Sequence, residues 1–188
     1  MIVREKNDYA PFEKKLLALK GFHCKDREKP VYTIVNCNDI RFGTFLCYEF
    51  TDILARSLYK DKVDVLFTPE NNSDTTYFSN IIETTTRDLH TFVVQSNTSI
   101  YGDSRITGPF SRDHRNIVQI KGGDNDSLII GTINIQAVKD ARDKERKELE
   151  NDIEEYFAMD SKKKFMKEKE LMKKQEIKIS KTSARTKY

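Results

Sequence analysis

Arg41-Phe42-Gly43-Thr44-Phe45-Leu46-Cys47-Tyr48-Glu49 decides how this chain is read. Phe42, Phe45 and Leu46 make it a short apolar strand that stops at a cysteine, with a carboxylate two residues on. A thiol where strand gives way to helix is well placed to attack a carbonyl or nitrile carbon. Working outward, Pro30 precedes a β-branched run, Val31 to Val35, and Asn36-Cys37-Asn38-Asp39 reads as a hairpin turn into a second strand, Ile40 to Cys47. A helix is expected from about Thr51 to Tyr59, with Thr51 or Asp52 as N-cap. Val63 to Thr68 is again a strand. Ser73 or Asp74 can cap a helix from Tyr77 to Leu89, and Phe92 to Ser96 is strand-like. Ser99 to Arg115 reads as loop. Two closing strands are expected at Ile117 to Ile120 and Leu128 to Ile135, around the turn Gly122-Gly123-Asp124-Asn125. That turn lacks phosphate-loop spacing. A short helical stretch near Phe12 to Leu19 precedes them all. Strands alternating with helices predict a mixed α/β layer structure.

The 188 residues suffice for one domain plus a tail. Charge divides unevenly. Residues 139–188 carry 16 Lys+Arg against 12 Asp+Glu, and residues 1–138 carry 17 against 18. A near-neutral body argues against a dedicated nucleic-acid surface. We expect residues 1–138 to form the folded domain and 139–188 a charged helix followed by a basic, disordered tail. Leu149, Ile153, Tyr156 and Phe157 lie at helical spacing within Lys139 to Met159, a narrow apolar stripe for light packing or assembly. The odd set Cys24, Cys37 and Cys47 suits a reducing, cytoplasmic setting. No apolar run reaches membrane-spanning length. The three histidines are scattered, and neither metal nor cofactor is expected.

The order and spacing of several short motifs resemble the nitrilase superfamily, the carbon–nitrogen hydrolases. The resemblance runs from Gly43-Thr44-Phe45-Leu46-Cys47-Tyr48-Glu49 through Arg56 to Val63-Asp64-Val65-Leu66-Phe67-Thr68-Pro69-Glu70-Asn71-Asn72. It continues with Thr86-Arg87-Asp88-Leu89, Val93-Val94-Gln95-Ser96-Asn97, Gly108-Pro109-Phe110-Ser111 and Ile133-Asn134-Ile135, the last matching the family's final strand. Upstream, Lys6-Asn7-Asp8-Tyr9-Ala10-Pro11-Phe12-Glu13 resembles the family's lysine segment, in the form seen in apolipoprotein N-acyltransferase.

The resemblance implies the C-terminal part of an α-β-β-α sandwich, N-terminally truncated, and a Glu–Lys–Cys set. Cys47 falls on the nucleophile, Lys6 on the lysine, Glu13 on a second glutamate, and Glu49 on an acid that some members need after the cysteine. Tyr48 supplies a backbone oxyanion donor, and Asn71 and Asn72 fall at the pocket rim. The family's first glutamate, on an early strand, has no counterpart here. Glu5 cannot replace it, because adjacent side chains on extended backbone point to opposite sides. The implied chemistry is hydrolysis of a small amide or nitrile through a thioester, with a homo-oligomer as the expected assembly. Two alternatives come from other classes: the nitrilase-like end of an antiphage-defence reverse transcriptase, where nucleic acid would be a partner, or a non-catalytic interaction module using the charged helix.

Overall fold

A computed structural model describes residues 4–24, 29–110, 115–123 and 125–159. The strands run in chain order across one sheet: β1 (Val35–Cys37), β2 (Ile40–Thr44), β3 (Val65–Pro69), β4 (Phe92–Ser96), β5 (Ser104–Thr107) and β6 (Asn116–Ile120). The helices are α1 (Pro11–Leu19), α2 (Ile53–Ser57), α3 (Thr75–Asp88) and α4 (Ile135–Met159). β2, β3 and β4 are parallel, whereas β1 and the β4–β5–β6 meander pair antiparallel. The crossover from β2 to β3 carries α2 and that from β3 to β4 carries α3, as parallel neighbours require.

Local chemistry explains most boundaries. The hairpin turn is Asn38-Asp39, both at positive φ (48° and 64°), the conformation that a two-residue turn of this hand demands. Asn36 and Cys37 therefore belong to β1, and the expected strand at 31–35 contributes only Val35. β2 ends at Thr44, three residues short of the expected Cys47, although Phe45 N still donates to Phe67 O at 3.0 Å. The expected helix at 51–59 is split. A 3₁₀ turn runs over Cys47–Thr51, and α2 follows, with the Asp52 carboxylate accepting from the N–H groups of Leu54 and Ala55. Asp74 caps α3 by accepting from Tyr77 N at 3.1 Å.

Two expectations fail. Residues 104–107, read as loop, form β5. Residues 128–135, read as a closing strand, are irregular until α4 begins at Ile135. The Asn134 side chain accepts from Ala137 N at 3.0 Å and opens that helix, so Ile133-Asn134-Ile135 does not form a last strand. The alternation of 128–134 finds no partner strand among the described residues, and Leu128 and Ile130 stay exposed.

One face of the sheet packs under α2 and α3 through Phe45, Phe50, Tyr59, Leu66, Phe78 and Ile82. Gly43 is needed there, because a Cβ at that position would lie 2.7 Å from Tyr59 Cε1. Burial pushes the Tyr59 phenol up to about 12. The opposite face holds Val65 and Phe92 against Val138 of α4, with half-buried Ile40, Phe42 and Val94 around them. Arg142 fastens the start of α4. Its guanidinium donates to Asp64 Oδ1 (2.9 Å), Val63 O (2.8 Å) and His90 O (2.6 and 2.8 Å).

The chain divides into two compact units, Met1–Arg142 and Asp143–Tyr188. Described residues of the second continue α4, with exposed pairs Lys144–Glu148 (3.6 Å) and Asp143–Arg146 along its surface. Leu149 of the expected stripe is exposed. The side chains of Ile153, Tyr156 and Phe157, and the expected disorder from Lys178, lie outside the described residues.

Candidate active site

The carboxyl ends of β2, β3 and β4 share one edge of the sheet, the edge where parallel α/β structures bind ligands. Cys47 stands there, at the first position of the 3₁₀ turn, with φ +51°. A left-handed cysteine is uncommon and costs about 1–2 kcal/mol, so the surroundings must impose it. Glu49 is the main constraint. Its carboxylate is 1% exposed and reaches back to accept from Leu46 N at 2.7 Å, which tightens the turn around Cys47. Thr51 Oγ1 donates to Tyr48 O at 2.9 Å and closes it.

Glu49 also binds the N-terminal segment to this turn. Arg4 Nη2 donates to Glu49 Oε2 at 2.7 Å, and Asn7 N donates to Glu49 Oε1. Asn7 in turn exchanges two hydrogen bonds with Val31, of 2.8 and 2.9 Å. Lys6 lies between these anchors. Glu13, in the first turn of α1, holds the Lys6 ammonium with both oxygens at 2.7 and 2.6 Å while accepting from Ala10 N at 2.7 Å. The Tyr9 ring lies 5.5 Å from the same ammonium.

The turn after β3 forms the other wall. The Asn71 backbone lies near enough to the Cys47 sulfur to favour its thiolate. The Asn72 side chain instead bonds Asp74, and Asn97 brackets the Asn72 backbone at 2.8 and 2.9 Å. Asn72 therefore shapes the loop through its own backbone and side chain. Glu70, one residue before Asn71, turns inward and is 8% exposed. Its oxygens accept from Thr68 Oγ1 (2.7 Å) and Gln95 Nε2 (2.9 Å). Gln95 Oε1 accepts from Arg105 Nε at 2.9 Å, and Arg105 Nη2 donates to Asp103 Oδ2 at 2.9 Å and to Ser79.

Burial pushes the Cys47 thiol up. The Asn71 backbone and the Lys6 charge pull it down, and Glu70 and Glu13 push it up again. The balance leaves it above its ordinary value, so a thiolate here at neutral pH would need a base. Burial likewise raises Glu70, to about 7, against the Thr68 and Gln95 hydrogen bonds that lower it.

Lys6 and Glu13 thus come together, near enough to Cys47 for their charges and the Asn71 backbone to act on its thiol, with Tyr48 carrying the first backbone N–H after the sulfur. Glu49 is placed as the brace beneath them, saturated by Arg4, Asn7 and Leu46. Arg4 and the chain Glu70–Gln95–Arg105 were not foreseen. Glu70 lay within the matched run, but nothing local marks it as buried. A cavity of about 430 Å³ opens beside the ends of β4 and β5, lined by Gln95, Asn97, Ser104, Arg105 and Asp126 among others. Cys47 is not among its lining residues. Among the described residues, no group of three or more His, Cys, Asp and Glu could hold a metal ion, and no helix is long and apolar enough to cross a membrane.

No family model matches the chain, and no curated protein does. Solved structures do. One is a CN-hydrolase superfamily protein from Xanthomonas campestris with an arsenic adduct in its active site, at 15% identity and TM-score 0.58, covering 74% of this chain and 55% of that one. Another is a mutant of the Nesterenkonia AN1 amidase from the nitrilase superfamily, at 13% identity and TM-score 0.53, covering 78% and 55%. A second mutant of that amidase shows acrylamide added at its active-site cysteine, at 13% identity and TM-score 0.50, covering 77% and 56%. The chain therefore has part of the nitrilase-superfamily fold, and it spans about half the length of these structures.

Proposed function

We propose that this chain carries the nucleophile side of a carbon–nitrogen hydrolase. The Cys47 sulfur attacks the carbonyl carbon of a small amide. The oxyanion that forms lies against the Lys6 ammonium and the Tyr48 N–H, where donors aimed at developing charge lower the barrier. Collapse breaks the C–N bond, the amine leaves with a proton, and water then releases the acid from the thioester. A carboxylate must take the thiol proton and pass it to the amine. Glu13 is occupied by Lys6 and Glu49 by its three donors, so neither is free for that task. Polar loops after β3 and β4, with Asn71, Asn72, Ser73, Ser96 and Asn97, favour an amide over a nitrile.

The observation that carries this reading is Cys47 in a left-handed turn at the strand end, with Glu49 tying that turn to the segment on which Glu13 holds the Lys6 ammonium. Iodoacetamide labelling of Cys47 across pH, in a Cys24→Ser/Cys37→Ser background, tests it. Lys6→Ala is expected to slow labelling about three- to tenfold at neutral pH, since the ammonium favours the thiolate. Superimposable profiles for the two proteins would refute the assignment.

A further inference from the structure

Glu70 is a buried acid that the chemistry above does not use. Its oxygens are gripped by Thr68 and Gln95, its own N–H donates to Ser96 O at 2.7 Å, and its turn leaves β3 beside the turn of Cys47, because β3 pairs with β2 and Phe45 N still donates to Phe67 O. A carboxyl group is an unexpected occupant for such a place. A neutral side chain could accept one hydrogen bond there without the cost of burying a charge.

We propose that Glu70 is a positioning residue for Cys47: it anchors the turn that presents the Asn71 backbone to the sulfur, and the gain or loss of its own proton sets how readily that sulfur ionises. The inference rests on Cys47 being the nucleophile. Charged groups face Glu70 from two sides. Arg105 of β5 and Asp103 before it act in opposite directions, and Cys47 lies on the side of the 3₁₀ turn. From α3 the network receives Ser79, which is uncharged. Lys121 reaches Asp103 at 3.5 Å, and Glu83 acts on Arg105. Lys6 and Glu13 face Cys47 itself.

The sign follows from the charge. With Glu70 neutral, the thiolate forms with one fewer negative neighbour. With Glu70 ionised, it forms against repulsion. Because Glu70 titrates near 7, a plot of log labelling rate against pH should bend there and resume on a line displaced to higher pH. Glu70→Gln should remove the bend. The variant should match the parent below about pH 6 and label about three- to tenfold faster above pH 8, a displacement of roughly half to one pH unit. Thr68→Val removes a hydrogen bond that favours the ionised carboxyl, so it should move the bend upward while leaving the charge in place. It keeps the inference testable if Glu70→Gln folds poorly. A purely structural Glu70 would change rates uniformly and move no inflection. A straight parent profile through pH 7, or a bend untouched by both substitutions, would overturn the inference. If Lys6→Ala also left labelling unchanged, the nucleophile assignment would fall with it. If Lys6→Ala slowed labelling while the bend was absent, only the role of Glu70 would fall.

Discussion

Glu49→Gln is expected to destabilise the first unit by about 3–5 kcal/mol and to slow Cys47 labelling to the level of Lys6→Ala. The cost arises because one carboxylate serves three donors. Oε1 takes Asn7 N, and Oε2 takes both Arg4 Nη2 and Leu46 N. An amide presents a donor on one side, so whichever way it turns, at least one buried donor loses its acceptor. Arg4 suffers most. Its Nε and Nη1 are buried with no hydrogen-bond partner, leaving Glu49 and the Tyr32 ring, 6.0 Å away, to offset its desolvation. Removing one member of a buried pair costs far more than the pair contributes. The kinetic effect follows from geometry, since Lys6 lies between two residues that Glu49 holds. Urea denaturation and labelling of the same sample check both parts. A loss under 1 kcal/mol with unchanged labelling would show that the brace is dispensable.

Arg142→Ala should cost about 3 kcal/mol. The residue leaves the Val63 and His90 carbonyls without their guanidinium and Asp64 with Arg41 alone, its N–H at 2.9 Å and its Nη2 at 3.1 Å. The pH dependence gives a second readout. Burial pushes Asp64 up, but hydrogen bonds from Arg41 and Arg142 outweigh it and hold the carboxyl below its ordinary 3.8. A depressed carboxyl stabilises the fold above its unfolded pKa, and that contribution is lost as pH falls through the folded value. The gap between parent and variant should therefore be widest above about pH 4 and narrow below it. Denaturation midpoints from pH 2.5 to 7 measure it, and a gap of constant width would contradict the pairing.

What the sequence disclosed was mostly local. Phe92–Ser96 is continuous, apolar and flanked by turn residues, and it folds as read. Asp74 ahead of a helical pattern caps α3. β5 was missed because Ser104-Arg105-Ile106-Thr107 places an arginine where an inward-facing strand residue should be apolar. Arg105 belongs there only because Gln95, Asp103 and Ser79 surround it, and Gln95 and Ser79 come from two other elements of the chain. The strand expected at 128–135 had suitable residues but no neighbour to pair with among the described residues, and strands depend on neighbours in a way that helices do not. At the site, Cys47, Lys6 and Glu13 were singled out by their resemblance to a family's motifs, and the structure joins Lys6 to Glu13. The bracing role of Glu49 required knowing that Arg4 folds back 45 residues to meet it.

The positive φ at Cys47 sets two selective pressures on one codon against each other. Glycine would sit in that backbone without strain, so Cys47→Gly should fold about as firmly as its parent, or up to about 1 kcal/mol more firmly, despite losing a side chain. Drift toward stability alone would therefore erase the thiol. Keeping the thiol there therefore means tolerating that strain, and thermal melts of the two proteins side by side would measure it.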